Sequence, residues 1–417
     1  MTLEDINLLD SRRFAQSVPH EWFTYLRRHA PVYRHPERHG PGFWAITRHD
    51  DVRQVSGDPA TFSSAYARGG VVALREGERM PEIHGYERGA RNLIMTDPPE
   101  HTQYRMLANK GFTVKAISTL QDHIRAYSGE LLDRAIATGR VDWVDEVAAE
   151  LPIRMISELL GVPAEDRHKM LVWSNQVVGS ADPEYAVGED TFARASAEVF
   201  AYAEDLAAQR RREPRDDIVS ILVGARGDQG LPPLDFRVFF MALMTAGNET
   251  TRYTAAHGMK ALVDNPDQYA ALAADPGLIP GAVEEMLRWA TAIHYFRRTA
   301  TRDTEIRGVP IKAGDKVVMY YTSANRDEEV FENPFRFDIR RNPNPHVAFG
   351  AGGPHFCIGA SLSRLQLRVL FEELVRRAPT PPKAAGEAVG LRSLFINGVK
   401  HLPVDFTGGG VPLAGAA

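Results

Sequence analysis

A single cysteine, Cys357, stands between a glycine-rich run and the start of an amphipathic segment in FGAGGPHFCIGASLSR, residues 349–364. A lone cysteine is most often a small core hydrophobe. Its neighbours here suit a reactive sulfur. Gly350, Gly352 and Gly353 let the backbone approach something flat and bulky without Cβ clashes. At a helix start the free N–H groups and the dipole favour a thiolate, and the same donors would tune a metal bound to it. Two further pairs have helical spacing: Glu285 with Arg288 in EEMLR, and His101 with Arg105 in HTQYR. The first is an ion pair on one helix face, a signal that surface pairs also give. Other motifs fail. GAGGPH has His355 where a dinucleotide fingerprint needs glycine, GASLS has Ser363 where a nucleophile elbow needs glycine, and no GxxxxGK[ST] occurs. His35, Glu37 and His39 lie in a Pro/Arg-rich stretch expected to be solvated surface.

A protected thiolate beside an open planar space is what an axial haem ligand requires. The stretch resembles the haem-binding loop of the cytochrome P-450 monooxygenases. That pattern has Phe seven residues before Cys, then Gly, a basic residue, Cys and Gly. Gly353, His355, Cys357 and Gly359 fall in place; Gly350 occupies the Phe position and Phe349 lies one residue further back, which reads as a one-residue expansion. AGNETT, residues 246–251, resembles the family's oxygen-activating helix. Ala246 and Gly247 would leave room for a diatomic ligand. Thr250 would bond back to the Ala246 carbonyl and open the helix locally. Thr250 and Glu249 would relay protons. The resemblance also implies a structural network of Glu285, Arg288 and Arg341, with Arg340 as the second choice. It further implies haem propionates held by His101, Arg105, Arg298 and His355, since several donors converging on two carboxylates is sound charge-assisted bonding.

The activity that the resemblance implies is that of a haem b enzyme inserting one atom of O2 into a C–H bond. The haem would lie between a long central helix and the Cys357 loop. The substrate would be a small, lipophilic organic such as a sterol, terpenoid or branched lipid. AGNETTR, NPNPHVAF, GGPHFC and FINGVKHLPV resemble the bacterial branch that oxidises sterol side chains and methyl-branched lipids. They are also similar to relatives that hydroxylate carrier-bound amino acids or other natural-product intermediates. The pocket is expected from Leu243, Ile293, His294, Leu394, Phe395 and Ile396, with residues 67–95 as much of its lid. His294 is the polar member and would orient a polar substrate group. No flavin or nicotinamide motif appears, so electrons from NAD(P)H are expected through a ferredoxin reductase and a ferredoxin. The ferredoxin would dock on Arg364 and Arg368, or these form a plain solvated face. A non-catalytic haem-thiolate sensor is the alternative of another class, and the Glu249–Thr250 pair argues against it. A peroxide-driven variant lacks such a pair.

The surrounding chain must place these groups. With 44% hydrophobic and 25% charged residues in 417, it can bury a large core. The net charge of -5 makes no case for nucleic acid or anionic membrane. One cysteine fits a reducing compartment, and with no secretory or membrane-spanning stretch the expected location is cytoplasmic. EWFTYLRRH reads as helix and GFWAITR as strand; helix dominates from Asp97 to about Trp289; short strands with Gly turns cover 298–321. ASLSRLQLRVLFEELVRR reads as a long amphipathic helix, followed by strand-like SLFINGVKHLPVDF and a tail, 408–417, expected to be disordered. The fold class expected is mainly α with small β-sheets (α+β), the cytochrome P-450 fold, in one catalytic domain over residues 1–417.

Overall fold

The computed structural model describes residues 1–75, 89–224 and 229–409. Its axis is the central helix, Pro233–Asp264, 32 residues and so about 48 Å long. Pro233 at its first turn has no N–H to leave unpaired, and Asn265 before Pro266 is driven out of helical geometry at its end. Phe236, Phe239, Phe240, Met241 and Met244 bury one half, and Ala255, Ala256, Met259 and Leu262 the other. A helix apolar on most of its faces belongs inside a fold. The first half packs with helices Glu150–Leu160, Arg167–Val178 and Thr191–Arg212. The second half joins the largest core cluster with helices Gln121–Thr138, Ile279–Ala290 and Ala360–Arg377.

The main sheet lies to one side. Its five strands run in the order Val32–Glu37, Gly40–Ile46, Lys316–Tyr320, Tyr295–Ala300, Phe62–Ser63. Only Gly40–Ile46 and Lys316–Tyr320 pair in parallel; Arg298 on the neighbouring strand stands opposite Val317. Smaller sheets follow at Thr304–Ile306 with Val309–Ile311, and in the C-terminal strands Val399–His401 and Pro403–Asp405. The architecture is mainly helical with small sheets. Among the described residues no helix is long and apolar enough to cross a membrane.

Two expectations change here. His35 and Glu37 are not solvated. His35 stacks on Phe43 with centroids 4.8 Å apart, and its Nε2 accepts from the Leu8 N–H at 2.9 Å; burial pushes it down to about 4. Glu37 pairs with Lys316 at 2.7 Å inside the protein. Only His39 is exposed. The reason is the hairpin, whose alternation turns His35 and Glu37 toward the body. Of the expected lid, residues 71–74 are stitched to the sheet. The Val71 carbonyl accepts from the Arg297 N–H, that of Val72 from the Tyr295 hydroxyl and that of Leu74 from Lys316 Nζ, at 2.8–2.9 Å. Residues 76–88 of that segment, and 410–417 of the tail, lie outside the described residues.

Candidate active site

The Cys357 loop is held at both ends. The Cys357 N–H donates to the Phe349 carbonyl at 2.9 Å, and helix Ala360–Arg377 starts three residues on. Gly350, Gly352 and Gly353 all have φ between 76 and 94°, left-handed backbone that favours glycine. The turn itself therefore requires glycine at these three positions. Gly359 differs: its φ is −86°, yet an added Cβ would sit 4.0 Å from the Cys357 sulfur. That glycine keeps the sulfur's surroundings open.

Cys357 is exposed, yet burial is the largest influence on its thiol and pushes it up; the Gly359 N–H, Arg105 and Arg364 pull it down. The two observations agree if the accessible side of the sulfur opens on a space enclosed by protein. Ala246 is exposed in the middle of the otherwise buried central helix, and Thr250 one turn on is half-buried. Thr250 Oγ1 donates to the Ala246 carbonyl at 2.8 Å, and the helix nonetheless continues unbroken through both. The expected local opening is absent because the hydroxyl reaches the carbonyl within regular helix. Gly247 faces another way: a Cβ there would meet Ile156 Cδ1 at 2.7 Å, so this glycine serves close helix packing rather than room for a ligand.

Glu249 is buried and turned toward helix Arg167–Val178. Its Oε1 accepts from Ser174 Oγ at 2.7 Å and Asn248 Nδ2 at 2.8 Å, with Arg252 Nη1 at 3.9 Å. Among the described residues no hydrogen bond joins it to Thr250, the neighbour about 100° round the helix. Arg252 carries a signal that was available, the i,i+3 spacing from Glu249. Ser174, 75 residues away, carries none.

His101, Arg105, Arg298 and His355 hold donors without acids. The His101 and His355 rings are 4.3 Å apart, and both His101 nitrogens and His355 Nε2 are buried without a hydrogen-bond partner. Arg298, fully enclosed, donates among the described residues only to the Arg297 carbonyl, at 2.8 Å. Arg105 reaches the Phe356 carbonyl at 2.5 Å. Among the described residues none of the four forms an ion pair with a carboxylate. Burial, then Arg298, His101 and Arg105, pushes His355 down to about 2. Orphaned buried nitrogens beside unpaired guanidinium groups would suit the two propionates of a haem, with Cys357 to supply its thiolate ligand.

Glu285 and Arg288 are brought together with Arg341. Arg288 Nη2 and Nε donate to the two Glu285 oxygens at 2.7 and 2.8 Å, and Arg341 Nε donates at 3.1 Å. Arg340 is exposed, and only its backbone N–H takes part, bonding to Asp338. Arg364 is tied bidentately to Glu284 at 2.7 and 2.8 Å and lies 4.5 Å over the Phe349 ring; Arg368 reaches Glu372 at 3.6 Å.

The expected pocket residues separate. Ile293 bridges Ile396, and both join Phe395, Val178 and Tyr185 in one apolar cluster. Leu243 is buried in the first-half cluster of the central helix, and Leu394 packs on the cluster containing Phe14 and Tyr295. His294 does not stand open over the site. It is 1% exposed, packs edge-on against Phe14 at 4.9 Å, and its Nδ1 pairs with Thr322 Oγ1 at 2.9 Å. Burial pushes it down to about 3. A neutral histidine held by a hydroxyl in an apolar core reads first as a core group, although among the described residues its Nε2 has no hydrogen-bond partner.

The sequence matches the family model of cytochrome P450 over residues 278–378. The chain is 39% identical to a steroid C26-monooxygenase of Rhodococcus jostii over 98% of its own length and 87% of that protein. It is 40% identical to a methyl-branched lipid omega-hydroxylase of Mycobacterium tuberculosis, covering 92% of this chain and 90% of the other. A solved cytochrome P450 of Mycobacterium marinum, in complex with pseudoionone, superposes with a TM-score of 0.88 at 38% identity, covering 95% and 97% of the two chains. With likeness sustained over nearly the whole length of known monooxygenases, the chain belongs to the cytochrome P450 family and is a cytochrome P450 monooxygenase.

Proposed function

We propose that the protein hydroxylates the chain end of a steroid or a methyl-branched lipid. The observation that carries this reading is the apolar cluster of Ile293, Phe395 and Ile396 with Val178 and Tyr185, which offers an elongated hydrophobic molecule apolar side chains to contact. Relatives of about 40% identity are a steroid C26-monooxygenase and a methyl-branched lipid omega-hydroxylase, which supports it. Haem b, held by Cys357 and by His101, Arg105, Arg298 and His355, supplies the oxygen-activating chemistry when bound. Electrons come from a ferredoxin and its reductase. Thr250 holds a proton at its Oγ1; Glu249, held by Ser174 and Asn248 with no direct bond to Thr250, serves the relay only through an intervening proton carrier.

The test is a screen of the haem-loaded protein by its Soret band. Cholest-4-en-3-one and a methyl-branched fatty acid should shift it toward high spin, and turnover should place a hydroxyl on the terminal carbon. Binding of neither class, with a shift by aminoacyl-carrier conjugates instead, would transfer the assignment to carrier-bound substrates. Thr250→Ala should keep NAD(P)H consumption within a few-fold and release most of the reducing equivalents as peroxide. Proton delivery by a positioned group is worth roughly 10²–10⁴-fold. Product per NAD(P)H equal to that of the parent enzyme would remove Thr250 from the relay.

A further inference from the structure

Residues 179–190 join the two helices that cover the first half of the central helix, Arg167–Val178 and Thr191–Arg212. This connection contributes Tyr185, and the preceding helix contributes Val178, to the cluster with Ile293, Phe395 and Ile396. Its polar side is anchored elsewhere. Asp182 is 1% exposed, and its two oxygens bond to residues on either side of the segment that carries Phe395 and Ile396. Oδ2 accepts from the Arg392 N–H at 2.8 Å and Oδ1 from Lys400 Nζ at 2.9 Å. Lys400, nearly buried, also donates to Glu184 Oε2 at 2.6 Å. Glu184 Oε1 in turn meets His401 Nε2 at 2.8 Å, and His401 Nδ1 meets Asp142 at 2.7 Å. Tyr185 adds a tie to the central helix, its hydroxyl accepting from Arg252 Nη2 at 3.1 Å.

We propose that Asp182 and Lys400 are specificity-determining positioning residues: together they clasp the 179–190 connection to the 392–400 segment and fix the depth to which substrate enters. This rests on the reading that Ile293, Phe395 and Ile396 line the substrate space. A buried ion pair is weak evidence for stability, since a well-packed apolar pair often does as well. What it supplies is one geometry: three donors converge on one enclosed carboxylate, and burial, which would raise Asp182, is outweighed by the Arg392 N–H, Lys400 and the Glu184 N–H, leaving it low. Removing Lys400 leaves that carboxylate enclosed without its cation. The connection then relieves the charge by swinging it into water, and the apolar faces of Val178 and Tyr185 leave Phe395 and Ile396.

The experiment compares two haem-binding probes, imidazole and clotrimazole, on the haem-loaded protein by stopped-flow at the Soret band. Both bind iron through an imidazole nitrogen, so neither depends on the natural substrate being a steroid or a lipid. In Lys400→Met the dissociation of bulky clotrimazole should quicken tenfold or more, while imidazole stays within twofold. Asp182→Asn should behave alike. Glu184→Gln, at a half-exposed partner whose loss leaves the Asp182–Lys400 pair intact, should quicken clotrimazole about threefold. It also serves where Lys400→Met yields too little protein. With a substrate from the screen, the clasp variants should spread one product over several positions. Unchanged rates for both probes, or equal changes for both, overturn the clasp. If the probes part as expected and no steroid or lipid binds, the clasp stands and the substrate reading alone fails.

Discussion

Cys357→His should abolish the red-shifted Soret band of the reduced carbonyl complex while the protein still retains haem. The band reports a thiolate on iron, and a histidine nitrogen cannot supply the sulfur's electron donation. Haem retention is expected from the rest of the site. His101, Arg105, Arg298 and His355 are untouched by the substitution, and their unpaired donors would still be there to hold haem propionates as proposed. Monooxygenation should fall to background, because the donation that favours O–O cleavage goes with the sulfur. The measurement is a carbon monoxide difference spectrum beside a haem assay on the same sample. An unchanged carbonyl band would end the ligand assignment, and complete loss of haem would mean that the four donors contribute little to holding it.

The second large effect lies away from the chemistry. Glu285→Gln keeps the side chain's shape and removes its charge, and it should cost about 3–5 kcal/mol, the usual result of stranding a buried ionic partner. Against a total stability of roughly 5–15 kcal/mol, much of the protein should fail to fold at growth temperature. The magnitude comes from the number of groups that Glu285 serves. It accepts from Arg288 and Arg341, from the Asp338 N–H at 3.0 Å and from Asn344 Nδ2 at 3.1 Å. It is also the opposing influence on Arg326, a fully enclosed guanidinium 4.4 Å over Trp289 that burial and Arg288 push well down. One lost carboxylate therefore leaves three guanidinium groups without their anion. Arg341→Gln should cost clearly less, because Glu285 keeps Arg288. Denaturant titration of the two variants decides it; equal losses would mean the three arginines do not share Glu285 as their counter-charge.

The elements that position the site were largely readable, and the failures have physical causes. The helix Ala360–Arg377 announces itself by amphipathic spacing and a following Ala-Pro boundary. Cys357 stood out by its glycine-rich neighbours, whereas Glu285 with Arg288 and the donors His101, Arg105, Arg298 and His355 were named through the resemblance, since each alone reads as an ordinary surface group. Gly247 could not be read correctly. Whether a glycine leaves space for a ligand or for a neighbouring helix depends on the rotation of the central helix against Ile156, which no local pattern encodes. The direction of His294 was hidden for a related reason. His294 precedes the strand Tyr295–Ala300, so its spacing from Arg298 does not fix its direction, and Phe14, 280 positions earlier, is what it packs against. His35 and Glu37 looked polar and so exterior; stacking on Phe43 and pairing with Lys316 are contacts that only the assembled sheet creates.

The bond from the Cys357 N–H to the Phe349 carbonyl has a consequence for how such loops vary. It sets the sulfur's register by a contact across the loop, not by counting residues along it. The chain between those two points runs through Gly350, Gly352 and Gly353, and a side chain at Gly352 would meet nothing within 4 Å. Gly353 beside it abuts the Ser56 backbone, so Gly352 is where an extra residue would find both backbone freedom and open space while the closing bond is kept. A search that demands a fixed interval between phenylalanine and cysteine treats length as the conserved quantity, whereas what the fold holds constant is a closure. Homologues with insertions or deletions between 350 and 353 should keep the same sulfur placement, and loop-length libraries built at Gly352 should retain a normal carbonyl spectrum where the same changes beside Gly359 would not.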